Sequence, residues 1–155
     1  MKTILVLLCS FTIVSCTIVP FFYSGSKLML ATRNLNYNEV RQLIENGANI
    51  NEKDSNGFTP LIMAAYYGSA PIVKYLCDSG ASLNEQDNDG NTALLHASYH
   101  GFADVVKVLL AYNASLEIVN KYGYNALGYA EKFYNYRIID LLKAAGAKST
   151  SNKES

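Results

Sequence analysis

Few residues in this sequence have the types and spacing that chemistry requires. His96 and His100 lie four positions apart, so that on a helix both rings could reach one metal ion. No Glu-x-x pattern and no third ligand lie near them in the sequence. We therefore predict no metal site, and we interpret the two side chains as a helix-edge histidine and a histidine on a contact face.

The other candidates for chemistry are equally weak. Cys77 stands at an apolar position of a predicted helix, which indicates a buried, inert thiol. Asp87 and Asp89 belong to a short acidic run whose spacing, without a terminal glutamate, does not match a calcium loop. The serines and threonines have no paired His and Asp, and no glycine-rich phosphate loop occurs. We predict that the protein is not an enzyme and needs no cofactor.

The composition is that of one folded domain rather than of a chain that binds nucleic acid. The 155 residues carry 13 basic and 13 acidic side chains, so the formal net charge is zero and does not favour phosphate neutralisation. Half of the residues are hydrophobic, which is enough for a core. Cys9 and Cys16 lie in the apolar N-terminal segment. Cys77 therefore has no disulfide partner within the domain, and packing must stabilise the fold.

The dominant pattern is a unit of 33 residues that recurs about four times. Gly57, Gly90 and Gly123 are separated by this step. The same step connects apolar residues in four copies: Leu28, Leu61, Leu94 and Leu127; Ala31, Ala64, Ala97 and Ala130; Val40, Val73, Val106 and Ile139; Leu43, Leu76, Leu109 and Leu142; Ala48, Ala81, Ala114 and Ala147. A short repeat cannot bury its apolar faces alone, so the copies are expected to stack.

Each copy carries the signals of two short helices. Thr59 and Pro60 form a helix start, because threonine caps free backbone N–H groups and proline is tolerated at the first helical position. The same capping slot is filled by Ser26, Thr92 and Asn125. Pro71 opens the second helix, and Gly80 ends it in the left-handed conformation. Residues 84–91, NEQDNDGN, are predicted to form a protruding turn.

These segments resemble ankyrin repeats. Residues 54–84, DSNGFTPLIMAAYYGSAPIVKYLCDSGASLN, contain Asp-x-x-Gly-x-Thr-Pro-Leu followed by Ala-Ala, Gly, Ile-Val, Leu, Gly-Ala and Asn, and residues 87–117 are a second clear copy. The resemblance implies an all-α ankyrin-repeat solenoid, built from stacked helix-turn-helix pairs with protruding β-turn loops. The domain is expected over residues 25–148, and a polar tail over 149–155 follows it. The four expected repeats are 24–53, 54–86, 87–119 and 120–148.

The first and last copies depart from the pattern, as expected for capping repeats with one solvated side. Glu131 stands where the other copies have Thr32, Ala65 and Ser98. Lys143 stands where the second and third copies have Cys77 and Leu110. Both changes place a charge on a helix face that is apolar or small in the earlier copies.

Three further departures concern single positions. The histidine that usually follows Thr-Pro-Leu in the family is replaced by Ile62, Leu95 and Gly128, so we expect its hydrogen bond to be lost. Asn113 stands where glycine is expected, and asparagine tolerates the same backbone shape. Tyr134 occupies the position of Gly68 and Gly101, so the pattern does not define the inter-helix turn of the last copy.

The resemblance also assigns a binding face. Tyr66 and Tyr67 are adjacent at the end of a helix, where both rings cannot be buried on one face. In ankyrin-repeat proteins this edge and the turns line a concave face, and tyrosine is enriched at interface hot spots. The protein-binding residues predicted in this way are Phe58, Tyr66, Tyr67, Asn91, Tyr99, His100, Tyr122, Tyr124, Lys132 and Phe133. The alternative is that the rings only shield neighbouring helix edges.

The N-terminal segment has the features of a targeting signal. Residues 1–15 contain one lysine and an apolar run of signal-peptide length. The sequence IVSC resembles a bacterial lipobox, which implies cleavage before Cys16, lipidation of its sulfur and an outer-membrane location facing the periplasm or the surface. Residues 16–24 would be a short apolar linker. Two alternatives remain, an uncleaved inner-membrane anchor, since the apolar stretch extends to Tyr23, and plain secretion.

The sequence as a whole predicts a membrane-anchored ankyrin-repeat protein that binds another protein through its concave face and loop tips, and does not bind nucleic acid. Two alternatives stay open. One is a structural or self-associating envelope protein, and the other is an immunity- or inhibitor-type partner of a secreted or periplasmic protein. The motifs do not specify the partner.

Overall fold

The computed structural model describes residues 26–150, which form eight short α-helices and, within that range, no strand. The predicted signal peptide and the whole predicted linker, including Cys16, lie outside these residues. The helices are α1 (Lys27–Arg33), α2 (Tyr37–Glu45), α3 (Pro60–Tyr66), α4 (Ala70–Asp78), α5 (Ala93–His100), α6 (Ala103–Ala111), α7 (Ala126–Lys132) and α8 (Tyr136–Ala144). The predicted all-α solenoid of four helix pairs is confirmed.

The pairs stack in two parallel rows. Helices α1, α3, α5 and α7 contact one another in sequence order and form the inner row, while α2, α4, α6 and α8 form the outer row. Each inner helix also packs on the outer helix that follows it in the chain. Contacts therefore run mainly between neighbouring repeats, which makes the stability of each repeat depend on its neighbours.

The core lies between the two rows and follows the 33-residue pattern. Leu28, Leu61, Leu94 and Leu127 are each at most 1% exposed. The alanines one helical turn later, at positions 31, 64, 97 and 130, are buried to the same extent. Their small side chains let neighbouring inner helices approach closely.

Adjacent positions on the outer helices show why the end repeats differ. Ile72 and its counterparts Val105 and Ile138 are buried, but Glu39 occupies this position in the first repeat and is exposed. At the next position Val40, Val73 and Val106 are buried, whereas Ile139 in the last repeat is only half-buried. The first position therefore packs toward the preceding repeat and the second toward the following one. Each end lacks one of these neighbours.

The predicted helix starts are confirmed. The side chains of Ser26, Thr59, Thr92 and Asn125 each accept a hydrogen bond from a backbone N–H in the first turn of the inner helix that follows. These bonds satisfy donors that have no partner within a helix. They fix where each inner helix begins, and hence where the preceding turn protrudes.

The turn between paired helices requires a left-handed residue in all four repeats. The position is occupied by Leu35, Gly68, Gly101 and Tyr134, with φ of 56°, 77°, 81° and 56°. Tyr134 thus keeps the turn that glycine forms in the central repeats. Side chains with a Cβ pay about 1–2 kcal/mol for this conformation. The two end repeats are therefore strained where the two central repeats are not.

We expect Tyr134→Gly to stabilise the domain by about 0.5–1 kcal/mol. Glycine removes the left-handed strain, but it loses more backbone entropy on folding than tyrosine does, and this offsets part of the gain. The Tyr134 side chain is 72% exposed, so its removal loses little packing. Urea denaturation followed by far-ultraviolet circular dichroism measures the change. Leu35→Gly, at the matching turn of the first repeat, is expected to change stability in the same direction. A loss of stability in both variants would contradict the strain.

Polar residues cover the last repeat. Glu131, which replaces the small residues of earlier copies, forms an ion pair with Lys143 at 3.4 Å and accepts a hydrogen bond from the Ser149 hydroxyl at 2.5 Å. The backbone N–H of Asn125 donates to Thr150 Oγ1 at 2.9 Å, and its side-chain amide donates to the Lys148 carbonyl at 2.6 Å. The first residues of the predicted tail are thus attached to α7.

Candidate protein-binding face

The protruding turns share one hydrogen-bonded design. Asp54 Oδ1 accepts from the backbone N–H groups of Asn56 and Phe58 at 2.9 and 2.8 Å. Asp87, 33 residues later, accepts from the equivalent positions at 2.9 and 2.8 Å. Asn120 repeats the pattern with Tyr122 and Tyr124 at 3.0 and 3.1 Å. Each loop is organised by a short polar side chain, which accepts hydrogen bonds from the backbone N–H groups two and four residues later.

Neighbouring turns are joined into one edge. The backbone N–H of Asn88 donates to the Asn56 carbonyl at 3.0 Å, and that of Lys121 donates to the Asp89 carbonyl at 3.1 Å. The Asn88 side chain adds a bond to the Ser55 carbonyl at 3.0 Å. These bonds fix the spacing of the loop tips, so side chains on them are held at regular intervals beside the inner helices.

Aromatic rings form a continuous strip along the inner helices. The Tyr66 ring lies 4.6 Å from the ring of His100, and the His100 ring lies 4.8 Å from that of Tyr99. Tyr99 in turn contacts Phe133 at 4.8 Å and Tyr129 at 5.2 Å. Most of these pairs are nearly perpendicular, an arrangement that aromatic rings prefer to face-to-face stacking. We call this surface, together with Phe58, Tyr67, His96 and Tyr124, the aromatic strip.

Most of the predicted binding residues lie on or beside this strip. Tyr67, Tyr99, His100, Tyr122, Lys132 and Phe133 are exposed, whereas Phe58, Tyr66 and Tyr124 are half-buried. Asn91 differs, since it is 7% exposed. Its side-chain oxygen accepts from Asn120 Nδ2 at 2.7 Å, and its amide lies 3.4 Å from Asp87 Oδ2. The polar atoms of Asn91 thus support the turns, which leaves little of them for a partner.

The sequence analysis did not identify one row of residues along the inner helices. Met63, His96 and Tyr129 are 33 residues apart on the inner helices, and Met63 and Tyr129 are buried. Tyr129 Oη accepts a hydrogen bond from Asn120 Nδ2 at 2.7 Å. The 33-residue spacing could have identified this row, but the sequence analysis considered His96 alone, as a metal ligand and as a helix-edge histidine.

A histidine hydrogen bond is found at another position of the repeat. Ile62, Leu95 and Gly128 cannot form the usual bond, as expected, but His96, one position after Leu95, lies with Nε2 2.7 Å from Asp87 Oδ2. The helix places this ring against the turn that Asp87 organises. A histidine bond to the turn of the same repeat is therefore present, but it comes from a different position of the repeat.

Two titratable groups of the face have shifted pKa values. Burial opposes ionisation of Asp87, but hydrogen bonds from His96 and from the backbone N–H groups of Asn91 and Asp89 outweigh it and lower the pKa of this carboxyl. Burial, together with the nearby His96, lowers the pKa of His100. At neutral pH the turn therefore carries an ionised carboxylate, and the His100 ring is mainly uncharged.

We expect Asp87→Asn to destabilise the protein at pH 7 by about 1.5–3 kcal/mol, the usual contribution of a hydrogen bond to a charged group. Because the folded-state pKa of Asp87 is lowered, the contribution is present above the unfolded pKa of about 4 and disappears as the pH falls through the folded pKa. Urea denaturation at pH 7 and near pH 3 measures this. Asp54→Asn changes the same slot of the preceding turn and is the matched control at pH 7.

Two pockets open beside the aromatic strip. One, of about 350 Å³, is lined by Tyr66, Asp89, Asn91, His96, Tyr99, His100, Tyr122 and Tyr129. The other, of about 380 Å³, lies one repeat earlier and is lined by Arg33, Asp54, Asn56, Phe58, Met63, Tyr66 and Tyr67. Tyr66 separates them. The face therefore offers two neighbouring recesses with aromatic walls.

The remaining candidates for chemistry are a metal site and the Cys77 thiol. Residues 26–150 contain no group of three or more His, Cys, Asp or Glu residues placed to hold a metal ion. Cys77 is buried, as predicted, and burial, with the neighbouring Asp78, raises the pKa of its thiol to about 11. The thiol is therefore protonated at neutral pH and a poor nucleophile.

Comparison with protein-family models gives two overlapping matches. A model of ankyrin repeats in many copies matches residues 43–96, and a model of three ankyrin repeats matches residues 79–153. No curated protein matches the chain. Together the two models span most of the four helix pairs, and the chain is an ankyrin-repeat protein. Ankyrin repeats are generally protein–protein interaction modules and are typically not enzymes.

The helices can also be compared with what a membrane-spanning segment requires. None of those within residues 26–150 has both the length and the apolar character that a membrane crossing requires.

Proposed function

We propose that this protein binds another protein through the aromatic strip and the adjacent loop tips, without catalysis. The observation that supports this most is the arrangement of the exposed rings of Tyr67, Tyr99, Tyr122 and Phe133 on one face, beside turns that are joined by hydrogen bonds. Aromatic residues are enriched at interface hot spots, where rigid side chains lose little entropy on binding. Because these side chains are already held in place before binding, less conformational entropy is lost when a partner binds.

The test compares the wild type with Tyr66→Ala/Tyr67→Ala/Tyr99→Ala. Photo-crosslinkers placed at positions 58 and 122, beside the substituted rings, capture whatever contacts the face in membranes from the native cell. Mass spectrometry identifies the captured protein, and its affinity for both forms is then measured with purified components. We expect the triple variant to bind at least tenfold more weakly, because hot-spot truncations typically cost 2 kcal/mol or more.

Tyr136→Ala provides a matched control. Tyr136 is 70% exposed and begins the outer helix α8, away from the strip. Its removal is expected to leave binding unchanged. Circular dichroism must show that all variants fold. A folded triple variant that keeps every partner at wild-type affinity would overturn the proposal, and crosslinks only between copies of this chain would favour self-association instead.

We also propose that Cys16 is lipidated and holds the domain at a membrane. The support is the lipobox-like IVSC that precedes a short linker. Two or more acyl chains give durable anchoring, since each buried methylene contributes about 0.8 kcal/mol. Labelling with a radioactive fatty acid tests this. The wild type should be labelled and Cys16→Ala should not, and an unlabelled wild type would contradict the anchor.

A further inference from the structure

We propose that the pocket between α5, α7 and the last two turns receives a cationic side chain, arginine or lysine, of the protein partner. This inference rests on the proposed function and specifies what the partner presents to the face. The pocket is the 350 Å³ recess lined by Tyr66, Tyr99, Tyr122, Tyr129, His96, His100, Asp89 and Asn91. We call it the tyrosine pocket.

The rings surround the recess on several sides. Tyr99 makes angles of 81° with Tyr129 and 80° with His100, and Tyr66 makes an angle of 74° with His100. Nearly perpendicular rings form walls and a floor, whereas parallel rings would form a single layer. A cation within about 6 Å of such ring faces is attracted by their negative quadrupole.

The charge distribution favours a cation over an anion or a neutral group. Asp89 lines the pocket, and no lysine or arginine of the described residues does. In the same turn, the buried Asp87 carboxylate lies 2.7 Å from Nε2 of His96, one of the lining residues. His100 adds no opposing charge at neutral pH, because burial lowers its pKa. The lining therefore has one carboxylate, Asp89, and several π faces, and within residues 26–150 it contains no lysine or arginine side chain.

Two lysines of this protein already use the neighbouring rings in this way. Lys132 Nζ lies 4.4 Å from the centroid of the Tyr124 ring, and Lys121 Nζ lies 5.8 Å from that of Tyr122. Lys121 also forms an ion pair with Asp89. A cation entering the tyrosine pocket would thus meet a carboxylate that is partly neutralised by Lys121. Because Lys121 and the entering cation compete for Asp89, replacing Lys121 with a neutral residue is expected to strengthen binding.

The size of the pocket suits one side chain. Its volume of about 350 Å³ lies near the lower end of ligand pockets, which are about 300–1,000 Å³. It opens beside exposed Tyr99 and Tyr122, which can contact the residues that flank the inserted side chain. A small site of this kind selects one residue within a larger interface, so its affinity for an isolated peptide is expected to be weak.

The test uses the full chain in detergent micelles and four five-residue peptides. Two carry a central arginine or lysine, and two carry their neutral counterparts, citrulline and acetyl-lysine. Ring signals of tyrosine and histidine are followed by nuclear magnetic resonance as each peptide is added. We expect saturable shifts with one or both cationic peptides and at least tenfold weaker binding of the neutral ones. The arginine and lysine arms show which cation the pocket prefers.

Three variants sharpen the result. Tyr99→Leu removes one wall and is expected to weaken the cationic peptide at least fivefold, whereas Tyr136→Leu, outside the pocket, should not change it. Lys121→Gln leaves Asp89 without its internal partner and is expected to strengthen binding. Equal binding of charged and neutral peptides, or no saturable shift with any peptide, would overturn the cation assignment. If crosslinking to a partner still depended on Tyr66, Tyr67 and Tyr99, the proposed function would stand without it.

Discussion

Replacing Leu94 with alanine is expected to destabilise the domain by about 2–5 kcal/mol and to unfold much of it at moderate temperature. Leu94 is completely buried in α5, between two neighbouring inner helices and the outer row. Other residues of the same core, such as Ala64, Ala97 and Ala130, are buried and small, so they cannot fill the cavity. A stack of four repeats has a stability of the order of 5–15 kcal/mol, so the loss is a large fraction.

Thermal and urea denaturation measure this change. Leu30→Ala is the matched control, because Leu30 lies on the first inner helix and is 41% exposed. We expect its effect to stay within about 0.5 kcal/mol, as for most surface substitutions. Equal melting temperatures for the two variants would contradict the placement of Leu94 in the core.

Gly57→Ala is expected to cost about 2–5 kcal/mol for a different reason. Gly57 has φ of +79°, which costs a residue with a Cβ about 1–2 kcal/mol. A Cβ at this site would also lie 2.9 Å from the backbone nitrogen of Asn88 and 3.1 Å from the Cα of Asp87. Backbone atoms cannot rotate away, so the second turn must shift, and overpacking of this kind costs about 1–3 kcal/mol more.

Gly123→Ala separates the two contributions. Gly123 occupies the same slot of the last turn, with φ of +82°, and a Cβ there would meet no atom within 4 Å. Its substitution should therefore show only the left-handed strain. Urea denaturation of both variants gives the difference. If Gly57→Ala costs no more than Gly123→Ala, close contact between neighbouring turns is not limiting for stability.

The fold could be predicted from the sequence because several independent features indicated the same structure. The 33-residue step, the capping residues and the apolar positions all indicated the same helix pairs, and residues such as Leu61 and Thr59 are placed as predicted. Tyr134 is a position where the sequence was not sufficient. A tyrosine there did not define the last inter-helix turn, because tyrosine has no preference for φ of 56°. Packing of the pair imposes the turn that glycine would have adopted freely.

The position of the aromatic strip could be predicted from the sequence, but the contacts beneath its surface could not. Repeat spacing placed Tyr66, Tyr99 and Phe133 along one edge, which the structure also does. Spacing alone could not show that the side chain of Asn91 forms hydrogen bonds within the turns, or that Tyr129 lines a pocket. Those properties depend on contacts between residues of different repeats, which no single repeat contains.

The polar covering of α7 has a consequence for assembly. In a row of identical units, the face that buries Ala65 or Ser98 inside the stack would be exposed at the end and could receive the first unit of another molecule. Head-to-tail addition of this kind does not close on itself and leads to fibres. Here Glu131, Lys143 and Ser149 satisfy one another on that surface. Adding a second molecule would require these charges to be dehydrated, so the stack terminates itself and filament growth is disfavoured.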